Sequence, residues 1–110
     1  MYVKVEFIRA KDGDTAILRI PLPFDLHIDL NMRLLGINTP EIRGPNHEAA
    51  VAATTYLTEL LHGAEGLIVQ THSRDKYGRW LGEIWALRAG VWSNVNAAML
   101  SAGHAVSYWP

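Results

Sequence analysis

The run His27-Ile28-Asp29-Leu30-Asn31-Met32-Arg33-Leu34-Leu35-Gly36-Ile37-Asn38-Thr39-Pro40-Glu41 decides the reading of the fold. Ile28, Leu30, Met32 and Leu34 alternate with His27, Asp29, Asn31 and Arg33. That period of two predicts a strand with one face on a core. Arg33 falls on the polar face near the strand end, so its guanidinium is expected toward solvent. Gly36 breaks the alternation and Pro40 keeps Thr39 extended, so Asn38 to Glu41 reads as a turn.

Toward the N-terminus lie two more strands. TAILRI at 15–20 is stopped by Pro21-Leu22-Pro23, which lacks two ladder donors, and YVKVEFI at 2–8 sets Val3, Val5 and Phe7 against Lys4 and Glu6. Lys11-Asp12-Gly13-Asp14 joins them as a polar turn in which Gly13 is able to take a positive φ. Toward the C-terminus the register turns helical from Asn46 to His62, with Ala49, Ala53, Tyr56, Leu57, Leu60 and Leu61 as its stripe, Asn46 as cap and Gly63 as stop. Thr54 and Thr55 are poor helix formers, so packing must hold this helix. GLIVQTH at 66–72 and WLGEIWAL at 80–87 complete five strands around the charged turn 74–79, and a short helix is expected near Val95 to Ala102. Closing five short strands into a small barrel removes exposed edges. The expected fold is α+β, mainly β, in one domain spanning 1–110.

Composition narrows the functional classes. Apolar residues make up 49% of the 110 and charged ones 19%, spread as in a globular domain. No run is long and apolar enough to cross a bilayer and no signal-peptide core is visible, so no membrane association and a cytoplasmic location are expected, a secreted protein without bridges also fitting. The absence of cysteine removes disulfides and thiolate metal sites. A formal net charge of -1 argues against a broad basic surface, so any nucleic-acid contact must be local.

Three clusters carry candidate chemistry. Asp12 and Asp14 flank Gly13 and offer hard oxygen ligands, although a solvated turn explains DGD equally well. In RLLGINTPE, Arg33 suits bidentate phosphate binding, Asn38 and the Thr39 carbonyl offer neutral oxygens, and Glu41 can orient or deprotonate water. In SRDKYGRW, Arg74, Lys76 and Arg79 form a cationic loop with Tyr77 as a stacking ring, or merely a charged hairpin. Together they supply what metal-assisted phosphodiester hydrolysis requires. The five histidines lack metal-ligand spacing, and the four tryptophans read as core or cover.

KDGDT at 11–15, RLLGINTPE at 33–41, EAA at 48–50, DKYGRWLGEIW at 75–85 and VNAAMLSAGHA at 95–105 make the chain resemble the staphylococcal nuclease, or thermonuclease-like, family. The resemblance implies a five-stranded OB-fold barrel with two packed helices, lacking the last helix of longer members. It implies a calcium-dependent nuclease acting on DNA and RNA, single-stranded or locally opened, cutting the 5' P–O bond to leave 3'-phosphate ends. Asp14, Asn38 and Thr39 would hold the metal with Asp12 in support. Arg33, Glu41 and Arg79 would be catalytic, and Lys76, Tyr77 and Tyr108 would bind nucleotide. Asn38 stands where the family usually has a carboxylate, so weaker calcium binding, or use of magnesium or another divalent ion, is expected. The rival readings are a catalytically silent nucleic-acid-binding barrel and a protein-interaction module. Oligomeric state and natural substrate are left open.

Overall fold

A computed structural model describes residues 2–109; Met1 and Pro110, the ends of the expected domain, lie outside the described residues. The strands are β1 (Tyr2–Asp12), β2 (Thr15–Pro21), β3 (His27–Leu34), β4 (Ile37–Asn38), β5 (Gly66–Arg74), β6 (Trp80–Arg88), β7 (Val91–Asn94) and β8 (Val106–Ser107). The helices are α1 (His47–His62) and α2 (Val95–Ser101). The main sheet runs β3-β2-β1-β5-β6-β7, and a parallel pairing of β3 with β6 closes it. Five strands, β1, β2, β3, β5 and β6, therefore form a closed barrel with two helices, consistent with an OB-fold.

Closure depends on β1, which changes partners along its length, and on the seam between β3 and β6. The first residues of β1, Tyr2 to Val5, pair with β5, while Glu6 to Asp12 pair with β2 through two register shifts. Such bulges bend a strand and raise its twist. At the seam, Met32, Arg33 and Leu34 of β3 meet Trp80, Leu81 and Gly82 of β6. A Cβ on Gly82 would lie 2.6 Å from the Gln70 carbonyl oxygen of β5 and 3.1 Å from Met32 Sδ of β3, so glycine is what lets β6 lie this close to both neighbours.

The alternation in β1 to β3 reflects burial. Val5, Ala16, Leu18, Met32 and Leu34 face the core with Val69 and Ile84. Ile28 does not follow the expected apolar face: it is 50% exposed, in the outer part of the β2–β3 hairpin where residues 21–29 are all exposed. On α1 the buried stripe is Ala50, Ala53, Leu57 and Leu61, and Ala49, expected inside, is exposed. Thr54 and Thr58 donate their hydroxyls to the carbonyls of Ala50 and Thr54, satisfying side chains otherwise unfavourable in a helix. The Arg88 guanidinium, from the end of β6, donates to the Glu59 and Leu60 carbonyls and closes the helix C-terminus. Asn46 does precede α1, but its carboxamide makes no cap bond.

Helix α2 is pinned by one buried polar side chain. Asn96 accepts from Ile84 N–H at 3.1 Å and donates to the Leu35 and Gly82 carbonyls at 2.9 and 3.1 Å. This fixes the segment following β3 against the seam. Among the described residues no helix is long and apolar enough to cross a membrane.

Candidate active site

The site grows from the β1–β2 turn. The Asp12 carboxylate accepts from Asp14 N–H at 3.1 Å, a side-chain turn that aims Asp14 inward. Gly13 does not use the positive φ open to it. It is glycine for space instead: a Cβ would sit 2.7 Å from Ala53 Cβ and 2.8 Å from Thr39 Oγ1. The turn is thereby pressed onto α1 and the Thr39 loop. Asp14 ends only 6% exposed, with Oδ2 accepting from Thr39 N–H at 3.0 Å and Oδ1 from Thr15 Oγ1 at 3.2 Å. Burial, with the adjoining Asp14 carboxylate, pushes the Asp12 carboxyl up to about 6.

Arg33 is placed differently from the expectation. Its side chain is only 11% exposed, lying in a crevice where Nη1 is 3.3 Å from Asp14 Oδ2 and 3.2 Å from the Leu34 carbonyl oxygen, and Nη2 donates to Asn38 Oδ1 at 3.3 Å. The strand alternation correctly put it off the core face; the curl of the barrel and the buried carboxylate then turned it inward. Asp14, Arg33, Asn38 and Thr39, four residues from two sequence clusters, are in direct contact.

Arg79 is held by a second carboxylate. In the β5–β6 turn, Asp75 Oδ1 accepts from the N–H groups of Tyr77 and Arg79, both at 2.9 Å, and Oδ2 pairs with Arg79 Nε at 2.7 Å. Burial draws the Asp75 carboxyl upward, but these N–H groups and the guanidinium outweigh it and hold it below the usual carboxylate value. The Arg79 guanidinium lies 5.5 Å from the Tyr77 ring centre, and Lys76 Nζ lies 5.3 Å from the same ring. The ring itself is 72% exposed.

Both arginines open onto one cavity of about 490 Å³, which Lys76, Tyr77, Asn38 and Tyr108 also line. Tyr108 is brought there by the pairing of β8 with β4 and by its N–H, which donates to the Gly36 carbonyl at 2.9 Å. Glu41 is not among the lining residues. It is exposed in the loop after β4, where its carbonyl accepts from Gly44 N–H at 2.9 Å.

Residues 31–109 match the sequence profile of the family described as staphylococcal nuclease homologue, well over half of the chain. The chain belongs to this family. It is also similar to Protein ParB of Escherichia coli, with 33% identity over 111 residues, covering 94% of this chain and 56% of that protein. The chain thus spans about half the length of that curated relative. Membership relates the chain to nuclease-type domains.

The family's metal is tested by the donors at this site. The Asp14 carboxylate, Asn38 Oδ1 and the Thr39 carbonyl are all hard oxygens of the kind that calcium or magnesium takes. Thr39 Oγ1, buried beside them, has no hydrogen-bond partner among the described residues. No cluster of three or more His, Asp or Glu residues forms among the described residues, so an ion would depend on neutral oxygens and water. The set fits in chemistry and is poor in charge, and the Arg33 guanidinium offsets part of Asp14's charge.

Sequence reasoning missed two contributors in this staphylococcal nuclease homologue. Asp75 was read as part of a charged loop; its spacing of four from Arg79 across a Gly-containing turn was the signal. Asn96, whose bonds to the seam carry Leu35 at the cavity wall, had no local signal, since its three partners come from distant segments.

Proposed function

We propose that this domain is a metal-dependent phosphodiesterase that cleaves DNA and RNA, single-stranded or locally opened, at the 5' P–O bond to leave 3'-phosphate ends. The convergence of Arg33 and Arg79 on one cavity, each held by its own carboxylate, carries the reading. Two planar guanidiniums suit the oxygens of a phosphodiester. Their pre-set orientation favours the extra negative charge of a five-coordinate transition state, because no reorganisation is needed as that charge develops. Lys76 adds a cation at the rim, and Tyr77 and Tyr108 offer ring faces for a base or sugar.

Asp14, Asn38 and Thr39 would hold calcium, or magnesium in its place, with Asp12 supporting Asp14 from below. When bound, the ion supplies Lewis-acid polarisation of a phosphate oxygen. Glu41 would orient the attacking water or take its proton. Its exposed position requires the loop after β4 to bring the carboxylate over the cavity when substrate is present, as catalytic contacts often tighten only in the complex.

A barrel that binds nucleic acid without cutting it is the second reading. It is favoured by the neutral Asn38 and by a Glu41 carboxylate outside the cavity wall. Cleavage of single-stranded DNA in calcium, magnesium or chelator separates the two. Cation-dependent cutting abolished by Glu41→Gln, and a lower calcium requirement in Asn38→Asp, are the expected results. Intact oligonucleotide at high protein and calcium, with binding retained, would support the silent barrel.

A further inference from the structure

A second cavity, of about 260 Å³, shares Asn38 with the first. The short β4–β8 pair lies between them: Ile37 and Tyr108 line the first, Thr39 and Val106 the second, and Asn38 both. Its remaining polar lining comes from Asn46 and His104. Neither side chain is used up by the fold. The Asn46 carboxamide leaves α1 uncapped. The His104 backbone N–H donates to the Met99 carbonyl at 3.1 Å, and its ring stacks on Tyr56 with centres 4.8 Å apart, so the imidazole is held in place by packing. Two hydrogen-bonding groups, of which the His104 ring is held by packing, thus face a hollow smaller than the pockets that enclose whole drug-sized ligands.

We infer that this second cavity seats the sugar–phosphate of the nucleotide adjacent to the one held beside Arg33 and Arg79, with Asn46 and His104 as its hydrogen-bonding residues. The inference rests on the reading that a nucleic-acid strand occupies the first cavity, and it deepens that reading. Asn38 lines both cavities, so a strand running over that residue would reach from the first to the second. The reacting phosphate then has protein contacts on both sides, so the preferred substrate has at least two nucleotides and is cut internally. The contacts are to the backbone, which makes this seat indifferent to base identity.

Equilibrium binding in chelator, where no cutting is expected, tests this with two probes. Thymidine 3',5'-bisphosphate fills one cavity, whereas a three-nucleotide thymidylate reaches both. The wild-type domain should bind the trinucleotide more tightly. His104→Ala and Asn46→Ala should each weaken trinucleotide binding about 5-fold, the worth of a lost hydrogen bond, and leave the bisphosphate unchanged. His104→Phe keeps the stack on Tyr56 and should show the same selective loss, which separates a contact from a folding defect. Equal wild-type affinity for the two probes, unchanged trinucleotide binding in the variants, or parallel weakening of both probes would each overturn the second seat. Loss of both probes in Arg79→Ala is the mark of the first cavity alone; failure of the wild type to bind either would overturn both readings.

Discussion

Arg79 serves a phosphate only if its guanidinium waits in one orientation, and Asp75 supplies it by accepting from Arg79 Nε while two backbone N–H groups, of Tyr77 and Arg79, hold the carboxylate in the turn. Asp75→Asn should lower kcat/KM for oligonucleotide cleavage roughly 10-fold or more by letting the arginine wander, with the fold intact by circular dichroism. The same contacts set a pH dependence. The folded value of Asp75 lies below its unfolded value of about 3.9, so its contribution to stability is complete above that value and is lost as pH falls through the folded one. Urea unfolding of wild type and Asp75→Asn should therefore differ at neutral pH and converge in acid; a gap that widens on acidification would contradict the sign. At Gly13 the constraint is space, so Gly13→Ala should destabilise by about 1–3 kcal/mol in urea, as overpacking does. From the residues alone Gly13 looked like a turn glycine, because its neighbours Ala53 and Thr39 come from segments that only the fold brings near.

Elements were most legible where their own period was decisive. β3 runs from His27 to Leu34 as its alternation predicts, and α1 begins one residue after the expected cap. Ala49 and Ala50 are indistinguishable by hydropathy, so the phase of the α1 stripe had to come from packing on β1. β7 was missed because the turn before it, Ala89-Gly90, has positive φ at both residues but lacks the Asn-Gly or Asp-Gly wording of such hairpins. β4 and β8, two residues each, exist only as partners of one another. The Asn96 contacts give this scale its sharpest test. Asn96→Ala orphans the Ile84 N–H and the Leu35 carbonyl at the barrel seam, the Gly82 carbonyl keeping its bond from Leu35 N–H, and should cost at least about 2 kcal/mol in urea unfolding, with the cavity wall at Leu35 loosened. A loss under about 0.5 kcal/mol, typical of a surface change, would mean that α2 is held by apolar packing alone.

On the scale of the whole molecule, the closed barrel brings together groups separated by most of the chain: Asp14 from the β1–β2 turn, Arg33 and Asn38 from around β4, and Arg79 from the β5–β6 turn. Sequence patterns identified these residues as candidates, but only barrel closure shows that both arginines meet one cavity while Glu41 waits outside it. A near-neutral chain then needs no extended basic face, since Arg33, Lys76 and Arg79, three of its ten cations, line the cavity where one phosphate would sit. The account's central claim is that this cavity cuts phosphodiesters, and cleavage of single-stranded DNA in calcium by wild type, Arg33→Ala and Arg79→Ala measures it most directly. The account predicts cutting by the wild type that stops in chelator and falls about 10²-fold in each variant, near the loss of an oxyanion-stabilising donor. Undiminished calcium-dependent cutting by either variant, or oligonucleotide binding by the wild type with no cutting at all, would contradict it.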